Sequence, residues 1–115
     1  MNNKISIIIP YFKKKKFINT FIKSITQQSY SNYEAVIIYD DSDRKDLETI
    51  RNKIQKLRKF KIIDNKVNKG VSKSRNIGIK NSSGRFIAFH DSDDKWKKNK
   101  LKIQIRYMKK NNVSF

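Results

Sequence analysis

The sequence has 115 residues, and its 28 Lys and Arg against 10 Asp and Glu give a formal net charge of +18. That length allows one domain, which we expect to comprise residues 1–115. Because cysteine is absent, a disulfide framework, a zinc ribbon and a cysteine nucleophile are excluded.

Apolar runs alternate with helical patterns in the first half of the chain. Ile5–Ile9 is apolar and mostly β-branched and is stopped by Pro10, which predicts a strand buried on both faces. Apolar residues at helical spacing predict a helix from Phe17 to about Gln28, and 35–39 predicts a second buried strand. Leu47–Leu57 predicts the next helix, with acids near its start and bases near its end, as the helix dipole prefers.

The second half repeats this alternation. A short strand is predicted at 60–63, and a short helix, which we expect Gly78 to interrupt, at 71–80. A fourth strand is predicted at 85–89, and Trp96–Met108 carries the apolar spacing of a final helix. The order of elements predicts an α/β fold: an open, mainly parallel sheet with helices on both faces.

The apolar runs and the residues near both ends of the chain predict its location and whether a further part or partner completes it. Apolar runs are too short to cross a bilayer and the first residues lack a signal-peptide core, so we expect a cytoplasmic chain. Val113–Phe115 resembles the start of another strand, from which we expect a missing C-terminal half or a partner subunit. Residues 95–110 carry eight bases and no acid, which indicates peripheral contact with the inner face of the membrane.

The strong positive charge also suggests a nucleic-acid binder. The composition weakens this reading, because 22 Lys, 18 Ile and 12 Asn all have A/T-rich codons and only 6 Arg are present. The run Lys13–Lys16 is typical of a solvated helix face. We therefore expect no specific nucleic-acid partner.

Six of the ten acids fall in two clusters, Asp40/Asp41/Asp43 and Asp91/Asp93/Asp94, and each cluster directly follows a predicted strand. Like charges packed together call for a divalent cation or a hydrogen-bonding ligand. Ordinary polar turns with helix caps are the alternative for either cluster alone.

The two clusters together are more informative. In open α/β sheets, ligands bind at the carboxyl ends of the strands. If the first strand lies between the second and the fourth, the clusters are two strand spacings apart, roughly 10 Å. That distance suits a nucleoside diphosphate with its base at one cluster and its phosphates at the other. Carboxylates of residues 91–94 are ligands of the type that Mg²⁺ or Mn²⁺ accepts, and no Walker loop or GxGxxG is present.

Several segments in order carry a resemblance to a known family. They are the opening strand with Pro10, 28–34 leading to Asp40 and Asp41, 68–70, 74–79, 84–94, Trp96, and residues 100, 101 and 104. In this series the chain resembles the family 2 nucleotide-sugar glycosyltransferases of the GT-A fold. Two positions depart from the family pattern: Lys13 stands where the family usually has Asn, and Ser42 where it has Gly, so Ser42 is expected to take a glycine-like backbone angle.

The resemblance implies a role for each acidic cluster. Asp41 would hydrogen-bond the nucleotide base, most often uracil, while Asp40 supports the loop. Pro10 and Tyr11 would form part of the base pocket, although a place in the core is the alternative for Tyr11 and its neighbour Phe12.

At the other cluster, Asp93 resembles the direct metal ligand, and Asp91 would contact the ribose or the water shell of the metal. Ser92 belongs to the same nucleotide-sugar-binding turn, and Arg75 is similar to the family arginine that faces the diphosphate. For His90 and Trp96 we favour packing over metal binding and sugar stacking.

These observations favour the donor-binding half of an inverting glycosyltransferase. The resemblance implies a nucleotide diphosphate sugar, Mn²⁺ or Mg²⁺, and a saccharide or lipid-linked saccharide acceptor. It places the general base beyond residue 115, so no catalytic residue is named in the chain. The alternatives are a nucleotide-sugar-binding fragment or subunit without turnover and, more remotely, a basic nucleic-acid binder.

Overall fold

The computed structural model describes residues 2–111, with four strands and four α-helices. The strands are β1 (Ile5–Tyr11), β2 (Tyr33–Tyr39), β3 (Phe60–Asp64) and β4 (Phe86–Phe89). The helices are α1 (Ile18–Thr26), α2 (Lys45–Ile54), α3 (Val71–Lys80) and α4 (Lys100–Asn111), and a short 3₁₀ turn, Lys15–Phe17, precedes α1. The predicted strand at 113–115 lies outside the described residues.

All strand pairs are parallel, in the order β3-β2-β1-β4. The first strand therefore lies between the second and the fourth, as was assumed in predicting the distance between the two acidic clusters. Ile7 is in register with Ala35 on one side and Ala88 on the other. The carboxyl ends of β2 and β4 consequently flank the end of β1 at one edge of the sheet.

Helices cover both faces of the sheet, as predicted. The larger core lies on the face of Ile7 and Ile9, where apolar side chains of α1, α2 and α4 pack. On the opposite face, Ile8 and Ile38 pack against Ile77 of α3. Because β1 contributes to both cores, its run of apolar residues is explained by burial on two sides.

β1 extends through Pro10, where the sequence predicted its end. Pro10 O accepts a hydrogen bond from Ser92 Oγ at 2.8 Å, so this stretch of backbone faces the side of β4. The ladder to β4 ends at the Ile8–Phe89 pair, and the missing N–H of Pro10 therefore breaks no ladder hydrogen bond. The last helix also differs from its predicted start. It was predicted to begin at Trp96, and α4 begins at Lys100.

The expected interruption of α3 at Gly78 was wrong, since the helix is continuous from Val71 to Lys80. Gly78 instead allows close packing, because a Cβ at this position would overlap Ile8 Cγ2 and lie 3.4 Å from Ile38 Cδ1. Both isoleucines are fully buried. The absence of a side chain therefore serves the contact between helix and sheet.

Gly78→Ala is expected to destabilise the chain by about 1–2 kcal/mol, because overpacking of a buried contact outweighs the better helix propensity of alanine. Urea unfolding followed by circular dichroism measures this change. The same substitution should cost less in an Ile8→Ala background, where the overlap is removed. Equal costs in both backgrounds would contradict the packing explanation.

At the opposite end of the sheet from the acidic turns, Glu34 is buried. Its Oε2 accepts hydrogen bonds of 2.6 Å from both Ser6 Oγ and Ser83 N, and Lys61 and Lys4 lie within 3.9 Å of Oε1. Burial alone would raise the pKa of Glu34, but these hydrogen bonds and charges outweigh it, and the net pKa lies below its ordinary value.

A lowered pKa in the folded state means that Glu34 contributes stability above its unfolded pKa and loses it as the pH falls through the folded value. We expect the free energy of unfolding of the wild type to exceed that of Glu34→Gln at pH 7, and the difference to shrink toward pH 3. Urea unfolding of both chains across that range is the measurement. A constant difference would contradict the electrostatic assignment.

Within residues 2–111, no helix has the length and apolar character that a membrane-spanning segment needs.

Candidate functional site

A cleft of about 400 Å³ lies at the carboxyl edge of the sheet, a volume within the range of small-ligand sites. It brings together seven of the eight predicted site residues with five others. The lining residues are Pro10, Tyr11, Phe12, Lys14, Asp40, Asn68, Gly70, Val71, Arg75, Asp91, Ser92 and Asp93. Both acidic turns thus reach one cleft, while Asp41 is not among its lining residues.

Asp40 is buried and organises the loop that precedes α3. One carboxylate oxygen accepts hydrogen bonds from Asn65 Nδ2 at 2.9 Å and Lys69 N at 2.7 Å. The other accepts from Gly70 N at 3.0 Å and Asn68 Nδ2 at 3.2 Å. Because Asn68 and Gly70 line the cleft, this carboxylate shapes one wall of it.

Gly70 has a φ of 96°, in the region that favours glycine, and directly precedes the first residue of α3. This backbone angle turns the chain from the Asp40-held loop into the helix. Val71, the first residue of α3, also lines the cleft. The start of the helix is therefore placed at the site by the loop.

Asp41 is also buried, but on the side of Lys13. Its Oδ2 lies 3.3 Å from Lys13 Nζ, and its Oδ1 accepts a hydrogen bond of 3.0 Å from Asp43 N. The carboxylate thus stabilises its own turn and carries a lysine as counter-charge.

The expectation for Ser42 was wrong. Among residues 2–111, a positive φ occurs at Lys13, Lys66 and Gly70, so Ser42 does not take the glycine-like angle. Beside Asp41, the left-handed position is Lys13, with a φ of 50°. Asn is several times more frequent than other non-glycine residues in this region, which gives a physical reason for the Asn that the family usually carries at this place.

Tyr11 borders the cleft, but its ring belongs to the core. The ring is fully buried, stacks on Tyr39 with centroids 5.6 Å apart, and its hydroxyl donates to Asp46 Oδ2 at 2.7 Å. Burial, together with this bond to a carboxylate, raises the pKa of Tyr11 well above its ordinary value. The ring available at the cleft is that of Phe12, which is 41% exposed.

The second acidic turn is fixed by hydrogen bonds at its base. Ser92 Oγ bonds to Pro10 O, as described above, and Asp94 N donates to Asp91 O at 2.9 Å. His90 is buried with its ring centroid 4.4 Å from that of Trp96, and its Nδ1 donates to Asp91 O at 2.6 Å. Burial lowers the pKa of His90 and so favours the neutral ring, and its contact with Trp96 is a packing contact.

The carboxylates of Asp91 and Asp93 are about half exposed, and each faces a base. Arg75 Nη2 lies 3.2 Å from Asp91 Oδ1, with its guanidinium over the Phe89 ring. Lys14 Nζ lies 3.6 Å from Asp93 Oδ2. Sequence reasoning assigned Lys14 to a solvated helix face and missed this position.

The two carboxylates fit a divalent cation that shares its ligands with phosphate. Mg²⁺ is typically held by one or two carboxylates together with phosphate oxygens and water. In the described part of the chain, no three His, Cys, Asp or Glu side chains are grouped as a metal cage. Two carboxylates alone would leave most of the coordination shell of such a cation to other ligands.

Comparison with known proteins places the chain in a family. The sequence profile described as Glycosyl transferase family 2 matches residues 6–115. Among relatives from Escherichia coli, WfgD, a UDP-Glc:alpha-D-GlcNAc-diphosphoundecaprenol beta-1,3-glucosyltransferase, is 41% identical over 113 residues, covering 96% of this chain and 43% of the relative. WfaP, with the same described activity, is 40% identical over 111 residues, with 96% and 43% coverage.

Solved structures share the fold. A structure of S. aureus TarS in complex with UDP-GlcNAc superposes with a TM-score of 0.83 at 28% identity, covering 95% of this chain and 32% of that one. The chain belongs to glycosyltransferase family 2 and has the α/β sheet of its GT-A structures. It spans less than half the length of the curated relatives named here.

Proposed function

We propose that the chain is the donor-binding part of a metal-assisted, inverting glycosyltransferase that uses a UDP-linked sugar. The observation that carries this proposal is the convergence of both acidic turns on one cleft, which Asp40, Asp91 and Asp93 all line. The UDP-GlcNAc complex of TarS and the UDP-glucose named for WfgD support the choice of nucleotide.

The base and ribose of the donor are assigned to the end of the cleft near Phe12 and the first acidic turn. The partly exposed ring of Phe12 offers a stacking surface, and residues of the loop held by Asp40 line the same cleft. Asp41 does not line the cleft, and its Oδ2 pairs with Lys13. We propose that Lys13 moves away when the base binds, so that this oxygen can accept a hydrogen bond from the base. This assignment moves the aromatic contact from Tyr11 to Phe12.

The diphosphate is assigned to the second acidic turn. Asp91 and Asp93 would hold Mg²⁺ or Mn²⁺, a cation that neutralises charge on the leaving diphosphate. Lys14 and Arg75 now neutralise these two carboxylates and line the same cleft. Once released from the carboxylates, both bases can bind diphosphate oxygens without leaving the cleft.

In the complete enzyme, a hydroxyl of a saccharide or lipid-linked saccharide acceptor would attack the anomeric carbon as the bond to diphosphate breaks. A carboxylate outside residues 1–115 would remove the proton of the hydroxyl. The contribution of this chain is to bind and orient the donor so that attack occurs in line. The lipid diphosphate acceptor named for WfgD supports this class of acceptor.

The direct test is isothermal titration calorimetry of the chain with UDP, with and without Mn²⁺. We expect UDP to bind, Mn²⁺ to strengthen its binding, and ADP to bind more weakly because the pocket selects a pyrimidine. No UDP binding, or equal binding with and without Mn²⁺, would contradict the proposal.

Lys14→Gln is expected to have opposite effects on the two ligands. UDP binding should weaken by about fivefold, the effect of one partly exposed charge, because a cation for the diphosphate is lost. Binding of Mn²⁺ alone should strengthen, because the charge of Lys14 no longer neutralises Asp93. The electron paramagnetic resonance signal of free Mn²⁺ measures this binding.

Lys15→Gln is the matched control, since Lys15 is exposed, adjacent and does not line the cleft. It removes the same charge from the neighbouring position. If it shifts both affinities as much as Lys14→Gln, the effects arise from net charge, and the assigned role of Lys14 is wrong.

A further inference from the structure

Helix α4 has apolar residues on two opposite faces. Leu101, Ile105 and Met108 are buried in the larger core. Ile103 and Tyr107, one helical turn apart on the other side, are 55% and 61% exposed. The first face thus packs in the core, and the second face is more than half exposed.

Exposed cations lie beside this pair on α4. Lys102, Arg106 and Lys109 of α4 are exposed, and the segment 95–110 contains no acid. Long Lys and Arg side chains can keep their charges in a polar layer while a neighbouring apolar side chain goes deeper. Apolar side chains flanked by bases on one helix face are typical of helices that lie in the membrane interface.

We propose that the outer face of α4 docks on an anionic phospholipid surface, with Ile103 and Tyr107 entering the headgroup region and the bases contacting lipid phosphates. Charge complementarity favours such a surface over an apolar protein partner, which would bury these cations unpaired. A nucleic acid would use the bases and would gain little from Ile103.

The position of the surface relative to the cleft fits this proposal. Lys95 directly follows Asp94, the last residue of the second acidic turn, and α4 begins five residues later at Lys100. A docked α4 would hold the cleft close to the bilayer. The docking proposal itself does not depend on nucleotide binding, and its test uses no nucleotide.

Co-sedimentation of the chain with phosphatidylcholine vesicles, with and without phosphatidylglycerol, tests the proposal. We expect binding to the anionic vesicles and little binding to pure phosphatidylcholine. Ile103→Ser/Tyr107→Ser, which keeps every charge, should weaken binding by about tenfold. Lys102→Glu/Arg106→Glu should weaken it by about 30-fold or more, at about fivefold for each base removed.

Arg51→Glu/Lys53→Glu makes the same charge change on the exposed side of α2 and is the matched control. This variant should retain most of the binding. Equal losses for the α2 and α4 charge variants would show non-specific attraction by the whole cationic chain and overturn the proposal. Absence of binding to anionic vesicles, or binding unaffected by Ile103→Ser/Tyr107→Ser, would overturn it as well, the latter pointing to an anionic partner such as nucleic acid.

Discussion

Replacing both Asp91 and Asp93 by Asn should abolish the effect of Mn²⁺ on UDP binding and weaken binding in the presence of Mn²⁺ by about 100-fold. Changes in the outer shell of a metal site already cost about 10- to 100-fold in affinity, so loss of two carboxylate ligands should reach at least the upper end of that range. Both side chains are half exposed and pair with bases at the cleft, and folding should therefore be little affected.

Calorimetric titration with UDP at fixed Mn²⁺ measures this loss. Glu48→Gln is the control, because it removes a negative charge from an exposed acid that lies outside both acidic turns and does not line the cleft. Retention of the Mn²⁺ effect in the Asp91/Asp93 variant would show that the second acidic turn is not the cation site.

Asp40→Ala is expected to destabilise the chain by about 3–5 kcal/mol. Its carboxylate accepts hydrogen bonds from two backbone amides and two Asn side chains, and removal of an acceptor from a buried network leaves these donors unpaired. Loss of this size is a large fraction of the stability of a small domain. The loop at 65–70 should lose its fixed conformation, and UDP binding should fall with it.

Asp40→Asn separates these two effects, because it keeps the shape and one carbonyl acceptor. We expect Asp40→Asn to lose about half as much stability as Asp40→Ala, as measured by urea unfolding, and still to fold. Its UDP affinity should nevertheless be reduced, since the wall formed by Asn68 and Gly70 is no longer held. An Asp40→Asn chain with wild-type stability would contradict the role assigned to this carboxylate.

Local patterns were sufficient to predict the elements and their order. The continuous apolar character of 5–9 predicted a central strand buried on both faces, and β1 has that position. The acids that follow two strands predicted a shared edge because parallel strands align their carboxyl ends. These predictions succeeded because each rests on neighbours along the chain or on the parallel arrangement itself.

The site details that sequence reasoning missed depend on distant contacts. Lys14 lies in a run of four lysines, and nothing within the run distinguishes the one that reaches Asp93 across the sheet edge. Gly78 appeared to break a helix because its partner, Ile8, is far away in sequence. For Tyr11, the core alternative could have been preferred from the sequence, since Tyr11 continues the alternation of Ile5, Ile7 and Ile9 toward the larger core.

The shared cleft is most directly tested by nuclear magnetic resonance of the ¹⁵N-labelled chain titrated with UDP and Mg²⁺. We expect the amide signals of residues 40–43, 68–70 and 91–94 to shift together along one binding curve, while those of α4 stay in place. Shifts confined to a single acidic turn, or different affinities reported by the two turns, would show that they do not hold one ligand.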